Sequence, residues 1–468
     1  MNLPSDLHYL EMHELSLLIR SRKLSPVEVT EAQLARIAEL DPGLHSYARV
    51  TPELALQQAR EAEQELANGT CRSPLHGIPV AYKDLFDTAG VVTAVGMPLH
   101  ASRIPDQDAT VVSRLREAGA VMLGKLQMTE GAFAIHHPNI TAPNNPWHPG
   151  HWTGASSSGC GVATAAGLCY ASIGSDTGGS IRFPCAANGL TGLKPTWGRV
   201  SRHGAFELAA SLDHVGPITR SARDALFLLS TIAGHDLLDP TSQPSVCLEV
   251  PGIDDSFRGL RVGIDESWLS DGVDPVIQQA LQQIMAMIRA GGGKLLSIRM
   301  PDTRAVSQNW EAHCGVQTAV AHADTYPLHA SQYGPALRRL IDGGRELNGM
   351  DYQRILLEAQ RFTGQVEMLL YELDLLLAPV QPYAAPTHEQ LSSLALDPEA
   401  NRRLIQFTAP FNVSGHPCIS LPIGLTEGGL PIGGQFIGRK GGEATLCRAG
   451  MAVQRVSDWH RLRPQCLK

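Results

Sequence analysis

The sequence predicts an α/β protein with a buried, partly parallel sheet, and three observations predict it. From Ile78 onward, short apolar runs punctuated by glycine alternate with segments of helical periodicity. Strand-like runs return near the far end of the chain, so the sheet draws strands from both halves. No internal repeat or low-complexity tail divides the 468 residues, which favours one large domain, residues 1–468, over separable units.

The elements follow in order. The first 67 residues, 1–67, read as a helical region packed on the rest. Ser25-Pro26 marks a helix start, a capping serine followed by proline at the first helical position, where its missing N–H costs nothing. Val27, Val29, Leu34, Ile37 and Leu40 then recur at roughly helical spacing. Residues 79–82 read as a strand, 109–118 as a helix, 121–123 and 169–173 as strands, and 221–233 as a helix. A Pro/Asp/Ser-rich stretch around 235–258 marks a long connection. A strand at 260–264 and a helix at 276–288 come next. Residues 304–372 are mostly helical and polar, and read as a peripheral lobe. Residues 375–378, 418–421 and 432–437 return to strand character.

Composition bounds the function. With 43% hydrophobic and 18% charged residues there is ample material for a core. A net charge of −8 and the lack of a compact Lys/Arg run argue against nucleic acid as a partner. No apolar window is long enough to cross a membrane, and the N-terminus is too polar for a secretion signal. The nine cysteines are scattered and form no CxxC pair. These features read as a reduced, cytoplasmic protein.

The chemistry sits in two glycine-rich loops, Gly154-Ala155-Ser156-Ser157-Ser158-Gly159 and Gly174-Ser175-Asp176-Thr177-Gly178-Gly179-Ser180-Ile181-Arg182. Glycines crowded around a serine let a backbone come close to something. A serine needs a base to become a nucleophile, and no histidine lies in either loop. Lysine does this work when desolvated enough to lose its proton near neutrality. Lys83 ends the apolar run 78–82 and would emerge from the sheet at a strand terminus. Taken alone, a lysine there more often snorkels to water. An isolated serine-rich run equally well makes a linker, but this one leads straight into the small, apolar segment 160–173.

The combination is specific. Gly77-Ile78-Pro79-Val80-Ala81-Tyr82-Lys83-Asp84, the two serine loops and Gly192-Leu193-Lys194-Pro195-Thr196 closely resemble the amidase signature family. Similarity continues through Ser211-Leu212-Asp213 and Leu377-Ala378-Pro379 to Leu430-Pro431-Ile432-Gly433, from about Leu17 to about Gly450.

The resemblance implies a central mixed, twisted β-sheet with helices on both faces, and a lobe at 304–372 near the substrate entrance. It implies a Ser-cisSer-Lys triad: Ser180 as nucleophile, Ser156 as relay after a cis Ala155–Ser156 peptide, and Lys83 as base. Backbone N–H groups of Thr177, Gly178, Gly179 and Ser180 would form the oxyanion hole. Ser157, Asp176 and Arg182 would support the loops. Met128 and Thr129 would lie on the substrate pocket, in the segment 128–151 that often walls the site in this family. The chain departs from the family at Ala155 and Ser158, where glycine is common.

The activity implied is hydrolysis of the C–N bond of a small linear amide by water, with esters or carbamates as side substrates. No cofactor is implied, and a homodimer is a common state among similar proteins. Metal binding is disfavoured, because His136-His137 and His148-x-x-His151 lack a carboxylate or cysteine at ligand spacing and read as surface or pocket-lining residues. A glutaminase subunit of a tRNA-dependent amidotransferase is the alternative. Arg338-Arg339 would then serve a substrate carboxylate, but Gln127-Met128-Thr129-Glu130 stands where that branch has Asn-Met-Asp-Glu. A catalytically dead scaffold is disfavoured because all three triad positions are filled.

Overall fold

A computed structural model describes residues 6–244, 255–394 and 397–465; part of the expected connection at 235–258 falls outside them. Eleven strands form one mixed sheet. They are β1 (Tyr47–Val50), β2 (Pro79–Lys83), β3 (Val121–Leu126), β4 (Ala171–Asp176), β5 (Thr191–Lys194), β6 (His214–Thr219), β7 (Arg261–Ile264), β8 (Lys294–Ser297), β9 (Leu375–Pro379), β10 (Cys418–Leu425) and β11 (Pro431–Gly438). Their spatial order is β1-β3-β2-β4-β6-β5-β10-β11-β9-β7-β8, so strands from both ends of the chain meet in the middle. The trios β3-β2-β4 and β9-β7-β8 are parallel, and the strands between them run antiparallel.

Period-two alternation explains why the sheet is buried on both faces. Val80, Tyr82 and Met122 join one apolar cluster, which also holds Val112 and Leu115 of the helix Thr110–Glu117 and Leu228 of the helix Ala222–Ile232. Ala81, Val121 and Leu123 join a second cluster with Ile37 of the helix Pro26–Leu44, Ala55 and Ala59 of the helix Pro52–Ala67, and Val162. A strand covered on both faces can be apolar throughout, as 78–82 is.

Every strand and helix expected from the sequence is present, with ends shifted by a few residues. Four strands were not expected. Among them β1 corrects the reading of 1–67 as wholly helical: Tyr47 lies buried with its hydroxyl donating to Leu168 C=O at 2.9 Å, and β1 pairs with β3 at the sheet's edge. Ser25 does cap its helix, its hydroxyl accepting from Val27 and Glu28 N–H. Residues 304–372 carry the helices Arg304–Gln308, Trp310–Ala321, Pro335–Glu346 and Gly349–Tyr371.

Candidate active site

β2 and β4 are parallel neighbours, paired from Val80 with Ala171 to Tyr82 with Ile173, so their carboxyl ends reach the same edge of the sheet. That edge is where open α/β sheets place ligands. Lys83 closes β2 and Ser175-Asp176 closes β4. The Lys83 side chain is fully buried, and its Nζ donates to Ser156 Oγ at 2.6 Å and to Ser175 Oγ at 2.8 Å. Burial lowers its pKa from 10.5 to about 8, since no carboxylate touches it to repay desolvation of the ammonium. Ser175 is a partner that sequence reasoning missed; its place one residue before Asp176 in the loop motif was the available signal.

Ser156 follows a cis Ala155–Ser156 peptide. The serine run then enters the helix Ser158–Ala165, every residue of which is buried. The segment 160–173 is thus an internal helix, a turn and β4, as its small side chains require of a helix packed between layers. Ser157 Oγ donates to Ser175 C=O at 3.2 Å, which ties the two loops together.

The second loop is organised by Asp176. Its carboxylate accepts from Gly179 N–H at 2.8 Å, Ile181 N–H at 3.1 Å and Arg182 N–H at 3.4 Å. It also pairs with the Arg182 guanidinium at 2.9 Å, both side chains being wholly buried. Burial alone would raise the Asp176 pKa, but the Arg182 guanidinium, with the Lys194 charge and the Asn412 amide, holds it well below the usual carboxylate range. Arg182 reaches on to Thr408 C=O at 3.0 Å, Asn412 Oδ1 at 2.7 Å and Gln435 Oε1 at 3.3 Å. The pair is therefore an internal clamp, not a surface ion pair.

The turn between Asp176 and Ser180 is pinned from outside. Trp310 Nε1–H donates to Thr177 C=O at 3.0 Å, Thr408 Oγ1–H to Gly178 C=O at 2.6 Å, and Thr177 Oγ1–H to Asp213 Oδ1 at 2.6 Å. Only glycine fits the middle. A Cβ on Gly178 would lie 2.6 Å from the Trp310 ring, and Gly179 adopts φ +140° with the Phe183 ring 2.4 Å from where its Cβ would be. Among the described residues, Thr177, Gly178 and Ser180 N–H have no acceptor. Gly179 N–H does have one, in Asp176, so of the four oxyanion donors expected from the sequence it is already committed.

Ser156, Thr177, Gly178 and Ser180 open onto one cavity of about 360 Å³, within the range of ligand pockets. The Ser180 hydroxyl has no hydrogen-bond partner among the described residues. Phe133, Trp152, Phe183, Trp310, Leu404 and Ile405 give the cavity apolar walls, with Glu311, Arg339 and His388 also lining it. Met128 and Thr129 do not line it. Both are buried behind the wall, where Thr129 N–H donates to Ser156 C=O at 3.2 Å. Arg339, which the alternative reading assigns to a substrate carboxylate, lines the cavity.

His136 lines the cavity, its Nε2 3.0 Å from Ser158 Oγ, while His148 and His151 pack edge to face with ring centroids 4.6 Å apart. The one cluster of metal-ligand type among the described residues lies elsewhere. There, His13 Nδ1 bridges Glu11 at 3.4 Å and Asp224 at 3.3 Å, and none of the three lines the cavity.

The family model described as Amidase matches residues 28–447. The chain is 49% identical over 455 residues to "Putative amidase AmiD" of Mycobacterium tuberculosis, covering 97% of this chain and 96% of that one. It is 36% identical over 490 residues to a glutamyl-tRNA(Gln) amidotransferase subunit of Chloroflexus aggregans, covering 98% and 99%. Among solved structures, 6-aminohexanoate cyclic dimer hydrolase complexed with substrate superimposes with a TM-score of 0.89 at 27% identity, covering 98% of this chain and all of that one. The ordered lysine and serine loops, the single mixed sheet and these full-length matches lead to one conclusion: the chain belongs to the amidase family.

Proposed function

We propose that this protein is an amidase that hydrolyses a carboxamide C–N bond through an acyl-enzyme on Ser180, with Ser156 and Lys83 as its proton relay. The observation that carries this is a buried lysine of lowered pKa that donates at 2.6 Å to Ser156, which lines the same cavity as Ser180. In the neutral amine, the Nζ lone pair accepts the Ser156 proton as Ser156 takes that of Ser180. Ser180 Oγ bonds to the scissile carbonyl carbon, whose oxygen becomes an oxyanion facing Thr177, Gly178 and Ser180 N–H. The proton then returns from Lys83 through Ser156 to the leaving nitrogen, and the C–N bond breaks. Water repeats the sequence on the acyl-enzyme, freeing the acid and restoring Ser180.

Apolar walls favour an uncharged aryl or alkyl acyl group, and the same chemistry extends to esters and carbamates. The lobe at 304–372 frames the entrance, since Trp310, Glu311, Ala336 and Arg339 all line the cavity. The six buried free thiols among the described residues suit a reducing, cytoplasmic setting. The glutaminase-subunit reading draws on the 36% identity and on Arg339, but the 49% relative is nearer and is described as an amidase. Ammonia release from glutamine, together with copurification of a second subunit, would favour it. The direct test is hydrolysis of phenylacetamide and acetamide by the native protein and by Ser180→Ala. Turnover should vanish in the variant with melting unchanged; full turnover in Ser180→Ala would overturn the proposal.

A further inference from the structure

Resting on the amidase reading, His136 stands out among the polar groups on the cavity wall, which also include Glu311, Arg339 and His388. His136 lines the cavity beside Phe133 and Ile135, and its Nε2 lies 3.0 Å from Ser158 Oγ. Ser158 is buried at the first turn of the helix Ser158–Ala165, two residues after Ser156. Its hydroxyl has no other partner among the described residues, so a proton on Nε2 would leave the hydroxyl proton without an acceptor, which favours donation from Ser158 to Nε2. An accepting Nε2 puts the proton of a neutral imidazole on Nδ1. Burial keeps the ring neutral, lowering its pKa from 6.5 to about 4. Nδ1 has no protein partner among the described residues, and it is not among the polar atoms sealed from solvent. It is therefore an open donor on the wall.

We propose that His136 Nδ1–H is a specificity-determining donor that selects amides carrying one uncharged hydrogen-bond acceptor, such as a heteroaryl nitrogen, on an otherwise apolar group. Ser158 acts through it as a positioning residue that sets the tautomer. His136 itself supplies one directional bond and no net charge, unlike Arg339 and Glu311 elsewhere on the cavity.

The test compares phenylacetamide with the three isomeric pyridylacetamides, which have nearly the same shape and differ by one ring acceptor. The native protein should prefer at least one pyridyl isomer by about tenfold in kcat/KM, the worth of one net hydrogen bond. His136→Phe should abolish that preference while still hydrolysing phenylacetamide. His136→Asn, whose amide N–H₂ takes the place of Nδ1–H, should retain part of it. Nitrogen NMR of the His136 ring should show the proton on Nδ1, and a mixed tautomer in Ser158→Ala. A preference unchanged in His136→Phe, or a native ring protonated on Nε2, overturns the inference and leaves the amidase reading standing. Hydrolysis that persists in Ser180→Ala overturns both.

Discussion

Gly179 N–H donates to Asp176 Oδ1 at 2.8 Å, so the aspartate that opens the nucleophile loop also shapes the turn that carries Ser180. Asp176→Asn removes the charge facing Arg182 and leaves a buried guanidinium uncompensated. Breaking such a pair costs about 3–5 kcal/mol. Urea unfolding should show a loss of that order, and amide turnover should fall at least a hundredfold as the turn loses its shape.

Lys83 gives a pH dependence with a definite sign. Its folded pKa of about 8 lies below the ordinary 10.5, so the unfolded chain binds the extra proton between those values. The Lys83 contribution to stability therefore rises with pH from about 8 to about 10.5 and is at its least favourable, and flat, below 8. The base must be neutral to act, so kcat/KM should fall about tenfold per pH unit below about 8. A profile flat down to pH 6 would exclude lysine as the base.

The same burial predicts a trade of stability for activity. Lys83→Met keeps the volume and drops the buried amine, so turnover should be lost. The melting temperature should rise, corresponding to about 1–3 kcal/mol of relieved desolvation. A lower melting temperature would mean that the hydrogen bonds to Ser156 and Ser175 outweigh that cost.

Gly178→Ala places a methyl where the Trp310 ring stands, 2.6 Å away, and must move the indole off Thr177 C=O. The expected loss in kcat/KM is about a hundredfold, as when an oxyanion donor is misplaced. Trp310→Phe keeps a ring but drops its N–H, and should cost only about 3–10-fold. Steady-state kinetics on one amide separate the two.

The wall itself is testable at Ile135, which is half-exposed and outside the core. Ile135→Ser should raise KM for phenylacetamide about 3–10-fold, by loss of apolar contact, and leave acetamide unchanged. Equal effects on both amides would show that Ile135 does not touch the acyl group.

The sequence marked Lys83, Ser156 and Ser180 as candidates because glycine, serine and a post-strand lysine are unusual neighbours. Strands buried on both faces were equally plain, since runs such as 78–82 are apolar throughout. β6 escaped notice because Gly216 and Pro217 read as turn residues. In the sheet, β5 pairs only with Thr219 and Ile218 of that strand, so Pro217 needs no N–H on that side. Trp310, Thr408, Asn412 and Gln435 lie 130 or more positions beyond the loop they hold, and no local pattern announces such contacts. Ser158 stood out only as a departure from glycine; its histidine partner needed coordinates.

The Arg182 clamp bears on how the protein is made. The loop around Ser180 is held by Thr408, Asn412 and Gln435, which leave the ribosome more than 220 residues after it. On the proposed mechanism, a nascent chain has its nucleophile early and the residues that hold its loop late. Gln435 lies in β11, so the clamp is complete only when β11 has joined β9 and β10 in the sheet.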